Sequence, residues 1–123
     1  MAEYRNPTTA VAQEIVAERN AQDTRWGEQN HPDHHPLVVS GARSVEGIYK
    51  LPSEVWAKQV CEKRRSVGNM SWADILLEEF VEAIHATSQE ELRSELIQVA
   101  AVAQAWIECI DRRQEAAAWE EDR

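Results

Sequence analysis

The stretch Ser71–Ala86 reads SWADILLEEFVEAIHA, and its reading decides the fold. At about 100° per residue, Trp72, Ile75, Leu76 and Ala83 share one face of a helix. Glu79 falls inside that apolar stripe, and Glu82 lies one turn on, at its edge. An unpaired carboxylate in such a place is costly or changes its pKa. A divalent cation is the usual compensation for clustered carboxylates. The next helix, around ELRSELIQV, supplies a further carboxylate at Glu95. The reading is an all-α bundle built around an acidic metal site.

Working outward, Ser71 and Asp74 form a capping-box-like pair that starts this helix, which is expected to end near Thr87. The following helix starts at Ser88, with Ser88 and Glu91 as its capping box. It continues through Leu92, Leu96, Val99, Ala103, Trp106 and Ile110. The turn between the two is short, so they should be antiparallel neighbours. Upstream, Ser53 caps a helix that carries Val55, Trp56, Val60 and Cys61 and closes near Gly68. A first helix is expected over 9–25, with Thr8 or Thr9 as N-cap. Residues 26–52 hold three of the four prolines and three of the four glycines, which excludes a continuous helix. They are read as a long loop. The polar tail 114–123, QEAAAWEEDR, is expected to fray. The whole chain, 1–123, is read as a single domain.

The net charge of −9 disfavours contact with a nucleic-acid backbone. No apolar run reaches the roughly 18 residues of a membrane span. The start, MAEYRNPTTA, lacks the basic and apolar regions of a signal peptide. Cys61 and Cys109 form no CxxC pair and read as reduced core thiols of a cytoplasmic protein. Trp56, Trp72 and Trp106 read as core anchors, and Trp119 as peripheral.

Glu78, Glu79 and Glu82 face Glu95 and Gln98 in this reading. Residues three apart on a helix lie side by side, so Glu79 with Glu82, and Glu95 with Gln98, can grip one ion. Oxygen ligands of this kind suit Mg2+ or Mn2+. Glu91, on the Glu95 stripe, is a reserve ligand. Glu82-x-x-His85 is a single Glu-x-x-His step, where a di-iron bundle needs two. His85 reads instead as a helix-end histidine, favoured by the C-terminal dipole. His31, Asp33, His34 and His35 lack helical spacing and read as a loop rather than a zinc site. The segment QDTRWGEQNHPD, 22–33, closes the first helix at Trp26 and Gly27. Trp26 could stack on a base there, or simply pack. No phosphate-binding glycine loop and no nucleophile with an evident base is present.

The pattern Glu78-Glu79-x-x-Glu82 … Glu95-x-x-Gln98 resembles the MazG-like nucleoside triphosphate pyrophosphohydrolases, an all-α superfamily. The segment QDTRWGEQNHPD and the helix start WADILLEE look like its small, single-domain, often phage-encoded branch. That family carries Glu-x-x-Asp on its second helix, and Gln98 departs from it. The resemblance implies a four-helix MazG-like bundle with a long loop between its first two helices, assembling as a homodimer or homotetramer. It implies hydrolysis of (d)NTP to (d)NMP and pyrophosphate with Mg2+ or Mn2+. Glu79, Glu82 and Glu95 would then be metal ligands, with Gln98 a weaker partner. Glu78 would orient or deprotonate water, and Asn20, Asp23 and Trp26 would meet the base. An acidic Asp23 makes (d)GTP a weak favourite. The setting would be the cytoplasm, of a host cell if phage-encoded, and the role nucleotide-pool control or supply of dGMP. The alternative is a catalytically silent scaffold of the same fold, which Gln98 favours.

Overall fold

The computed structural model describes residues 6–122. The N-terminal MAEYR and the final Arg123 lie outside the described residues. Everything regular is helical: α1 (Pro7–Trp26), α2 (Pro36–Val39), α3 (Val45–Tyr49), α4 (Glu54–Ser66), α5 (Trp72–Ile84) and α6 (Gln89–Glu121). No strand occurs among the described residues. No helix in them is long and apolar enough to cross a membrane.

The helix starts follow from local chemistry. Ser53 Oγ accepts from the Trp56 N–H at 3.1 Å. Ser71 Oγ accepts from the Asp74 N–H at 3.2 Å, while the Asp74 carboxylate accepts from the Ser71 N–H at 3.1 Å. That is a complete capping box. At α6, Ser88 Oγ accepts from the Glu91 N–H at 3.1 Å. Glu91 does not return the bond to Ser88; its carboxylate accepts from the Thr87 N–H and hydroxyl. The first helix starts two residues earlier than expected, because Asn6 and not a threonine caps it, with Oδ1 accepting from Thr8 and Thr9. Gly27, at φ 70°, closes α1 in a conformation that side-chain-bearing residues avoid.

The expected long loop needs correction. Residues 26–52 are not one irregular loop, because Pro36 starts α2 and Ser44 caps α3. α6 continues into the tail and runs through Glu121. The segment QEAAAWEE is rich in strong helix formers and free of glycine and proline.

The chain divides into two compact units, 1–30 with 103–123, and 31–102. In the first, the Thr8 hydroxyl donates to Glu108 at 2.8 Å and Gln104 donates to the Thr8 carbonyl at 2.9 Å. Val11 is the buried apolar side chain there. In the second, α4 packs on α5 through Ala57, Cys61, Val81 and Ala83, all buried. Asp74 is buried with them and is ion-paired to Arg64. The Ser71 hydrogen bonds, and then Arg64, hold its carboxyl below the ordinary carboxylate range. Its stabilisation is therefore present above the unfolded pKa and is lost as pH falls through the folded one. Trp56 is not a core anchor: it is 49% exposed, because α4 turns Ala57 and Cys61 to α5. Trp72 and Trp106 are half-buried and Trp119 is exposed. Cys61 and Cys109 are not joined in a disulfide.

Candidate metal centre

Glu79 and Glu82 stand one turn apart on α5, and the short 85–88 connection brings Glu95 of α6 beside them. Each of the three offers a carboxylate oxygen, and these oxygens lie within 4.8 Å of one another. It is the only grouping of three or more His, Cys, Asp or Glu with such mutual proximity among the described residues. All three residues are half-buried. The apolar stripe read from the sequence therefore does not enclose Glu79 fully; it backs it, and two other carboxylates face it.

The electrostatics follow from this crowding. Burial, then the charges of Glu79, Glu95 and Glu78 and a hydrogen bond to Glu95, push the Glu82 carboxyl up to about 7. Burial, then Glu95 and Glu78, also raise Glu79. Without a cation, the cluster is partly protonated near neutrality through Glu82. The linkage has a definite sign. The folded pKa of Glu82 lies above its unfolded value, so its contribution is fully present below about 4.3. It is lost as pH rises toward about 7.

The other expected residues are placed as follows. Glu78 is half-buried and lies outside the triad. Its carboxylate stands by the thiol of Cys61, whose pKa burial and then Glu78 push up to about 12. The same thiol donates to the Asp74 carbonyl at 3.2 Å, so Cys61 is an inert core group. Gln98 is exposed on α6, one turn beyond Glu95. Glu91 lines the neighbouring cleft with its carboxylate engaged by Thr87. Asn20, Asp23 and Trp26 belong to the other unit and are exposed on α1. Asp23 is ion-paired with Arg19 at 3.0 Å, and Trp26 has the Arg25 guanidinium 6.0 Å from its ring.

The histidines are occupied elsewhere. His34 Nε2 donates to the Ile84 carbonyl at 2.8 Å, and His35 Nδ1 accepts from the Leu37 N–H at 3.0 Å. His85 bonds Val81 and Glu46 through its two ring nitrogens. The bonds of His85 go to Val81 and Glu46 and not to the triad, against the di-iron reading, and His31, Asp33, His34 and His35 make no grouping of ligand atoms comparable to the triad among the described residues.

Sequence reasoning missed the far wall of the site. A cleft of about 270 Å3 beside the triad is lined by Glu54, Val55 and Lys58 of α4 together with Glu82, Glu91 and Glu95. Lys58 is the one cation in that lining, and it forms no ion pair with any described residue. No local signal marks it, because it reaches the cleft only through the packing of α4 on α5. No family model, no curated protein and no solved structure matches this chain.

Proposed function

We propose that this chain is a metal-dependent nucleoside triphosphate pyrophosphohydrolase that converts (d)NTP to (d)NMP and pyrophosphate. The observation that carries this reading is the convergence of Glu79, Glu82 and Glu95 on one small volume. Their donor set fits Mg2+ or Mn2+: hard oxygens, and a mutual repulsion that a cation relieves. Bound there, such an ion neutralises charge on a triphosphate and lowers the pKa of water. The rest of the chemistry belongs to the chain. Water adds to the α phosphorus, the bond to the αβ bridging oxygen breaks, pyrophosphate leaves, and Glu78 accepts the water's proton. Lys58, in the cleft wall, is a point charge that binds the β and γ phosphates of the substrate. Asn20, Asp23 and Trp26 are the proposed base contacts, with (d)GTP favoured through Asp23.

The four long helices are proposed to form the MazG-like bundle that the sequence resembles. Assembly as a homodimer or homotetramer is proposed with it, supported by large apolar side chains left exposed: Leu77 and Phe80 on α5, Leu96 and Ile97 on α6. A cytoplasmic nucleotide-pool role goes with the reaction.

The experiment is product analysis by 31P NMR on all eight (d)NTPs with Mg2+, Mn2+ or EDTA. Nucleoside monophosphate and pyrophosphate should appear in equal amounts and vanish with EDTA. Orthophosphate with a diphosphate would overturn the bond assignment. The Lys58→Ala variant should raise KM about tenfold or more and fall less in kcat, because one charge–phosphate contact is worth about 1.5–3 kcal/mol. An unchanged KM would remove Lys58 from the site.

A second reading, a silent nucleotide-binding or interaction scaffold of the same fold, is favoured by Gln98 alone. A neutral amide stands where the resembling family has an aspartate. Nucleotide binding without turnover on any of the eight substrates would establish it.

A further inference from the structure

We propose that His85 is an imidazolium at neutral pH and serves as a pH-sensitive staple, holding the 34–49 segment against the C-terminal end of α5. His85 is the C-cap residue of α5 and its side chain is 13% exposed. Its Nδ1 lies 2.8 Å from the Val81 carbonyl oxygen. A carbonyl oxygen only accepts, so Nδ1 carries a hydrogen. Its Nε2 lies 3.1 Å from Glu46 Oε1. Glu46 sits in the first turn of α3, where its own backbone N–H, then His85, hold the carboxyl below the ordinary range. An ionised carboxylate also only accepts, so Nε2 carries a hydrogen too. Two acceptor-only partners on the two ring nitrogens require the charged ring, whichever neutral tautomer is considered.

The surroundings agree with that charge. Glu46 faces the ring from α3 and Glu54 from α4. From α5 come the carbonyls of the helix end, which favour a cation. His34 lies nearby, its Nε2 donating to the next free carbonyl, that of Ile84, at 2.8 Å. The first turn of α6 carries Glu90 and Glu91, and Glu91 is taken up by Thr87. Burial opposes the charge, and the bonds to Val81 and Glu46 outweigh it, so the pKa of His85 lies above its ordinary value.

The consequence is directional. The staple is whole below the unfolded pKa of histidine and is lost as pH rises through the folded value. A neutral ring keeps only one N–H. Its remaining lone pair then faces either the carbonyl or the carboxylate, and the contact turns repulsive. The Tyr49 hydroxyl oxygen accepts from the His35 N–H at 2.6 Å, so α3 and the start of α2 are tied together. Opening at Glu46 therefore loosens this joined piece rather than one side chain. Glu54 also lines the cleft beside the triad, so the same deprotonation removes a counter-charge at the cleft wall.

The test is long-range 1H–15N NMR of the histidine rings in the full-length protein across mildly acidic to alkaline pH, with amide hydrogen exchange read in parallel. At neutral pH both His85 nitrogens should show protonated-imidazolium shifts, so the midpoint should lie above neutrality and not at the ordinary histidine value of about 6.5. Glu46→Gln should lower that midpoint by about one unit. Amides of 45–49 should lose protection across the wild-type midpoint relative to those of α4. A single neutral tautomer of His85 at neutral pH would overturn the proposal in the wild-type protein alone. So would a midpoint unmoved by Glu46→Gln, or 45–49 protection that tracks α4 throughout.

Discussion

Glu79→Gln is expected to reduce pyrophosphate release by about a hundredfold, the upper end of the roughly 10–100-fold loss seen when even an outer partner of a metal ligand is removed, while making the cation-free protein more stable. The two effects have opposite signs for one reason. Glu79 is held half-buried between Glu78, Glu82 and Glu95, and its raised pKa shows that the fold disfavours its charge. Glutamine keeps the shape and removes that charge, so the repulsion is relieved and the melting temperature without cation should rise. The same change leaves one neutral oxygen where a cation needs an anionic one, so affinity and turnover fall together. A purely structural role for Glu79 gives no such pairing. Full turnover in Glu79→Gln would remove Glu79 from the ligand set, and a fall in both stability and turnover would point to a damaged fold.

Mn2+ should stabilise the wild-type protein strongly at pH 8 and hardly at all at pH 5. At a hundredfold excess over Kd, binding to the native state alone adds about 2.7 kcal/mol. For a chain of this length that corresponds to roughly 10 °C in Tm. The pH dependence comes from Glu82, whose carboxyl titrates at about 7. Below that value the cluster holds a proton, and the cation must displace it; above it, the third carboxylate is free to bind. Without cation, the linkage runs the other way. Protein lacking Mn2+ should lose the Glu82 contribution as pH rises from about 4.3 toward about 7. Thermal melts with and without Mn2+ should therefore diverge with increasing pH. A shift of equal size at both pH values would place the binding elsewhere than on this triad.

Much of the fold was legible because helix starts are written locally. Ser53, Ser71 with Asp74, and Ser88 each cap the helix that the spacing assigned to them. Three carboxylates of the candidate centre were legible for a related reason. A three-residue step on α5 and a short return to α6 leave little freedom in where Glu95 can stand. What stayed hidden depends on contacts between distant residues. Lys58 and Glu54 reach the cleft only because Ala57 and Cys61 are the α4 side chains that α5 accepts. The same choice of face leaves Trp56 outside, although its apolar character alone argued for the core. The bond between His85 and Glu46 joins residues 39 apart in sequence, and no spacing rule anticipates it. α2 and α3 escaped because four- and five-residue helices have no periodicity to read, only a proline and a serine cap.

The most direct measurement is anomalous diffraction at the manganese edge from crystals grown with Mn2+. The expected result is a peak bounded by the carboxylates of Glu79, Glu82 and Glu95, absent in crystals of Glu79→Gln. A peak at other residues, or none at these three with Mn2+ present in excess, would contradict the assignment of this cluster as the metal centre.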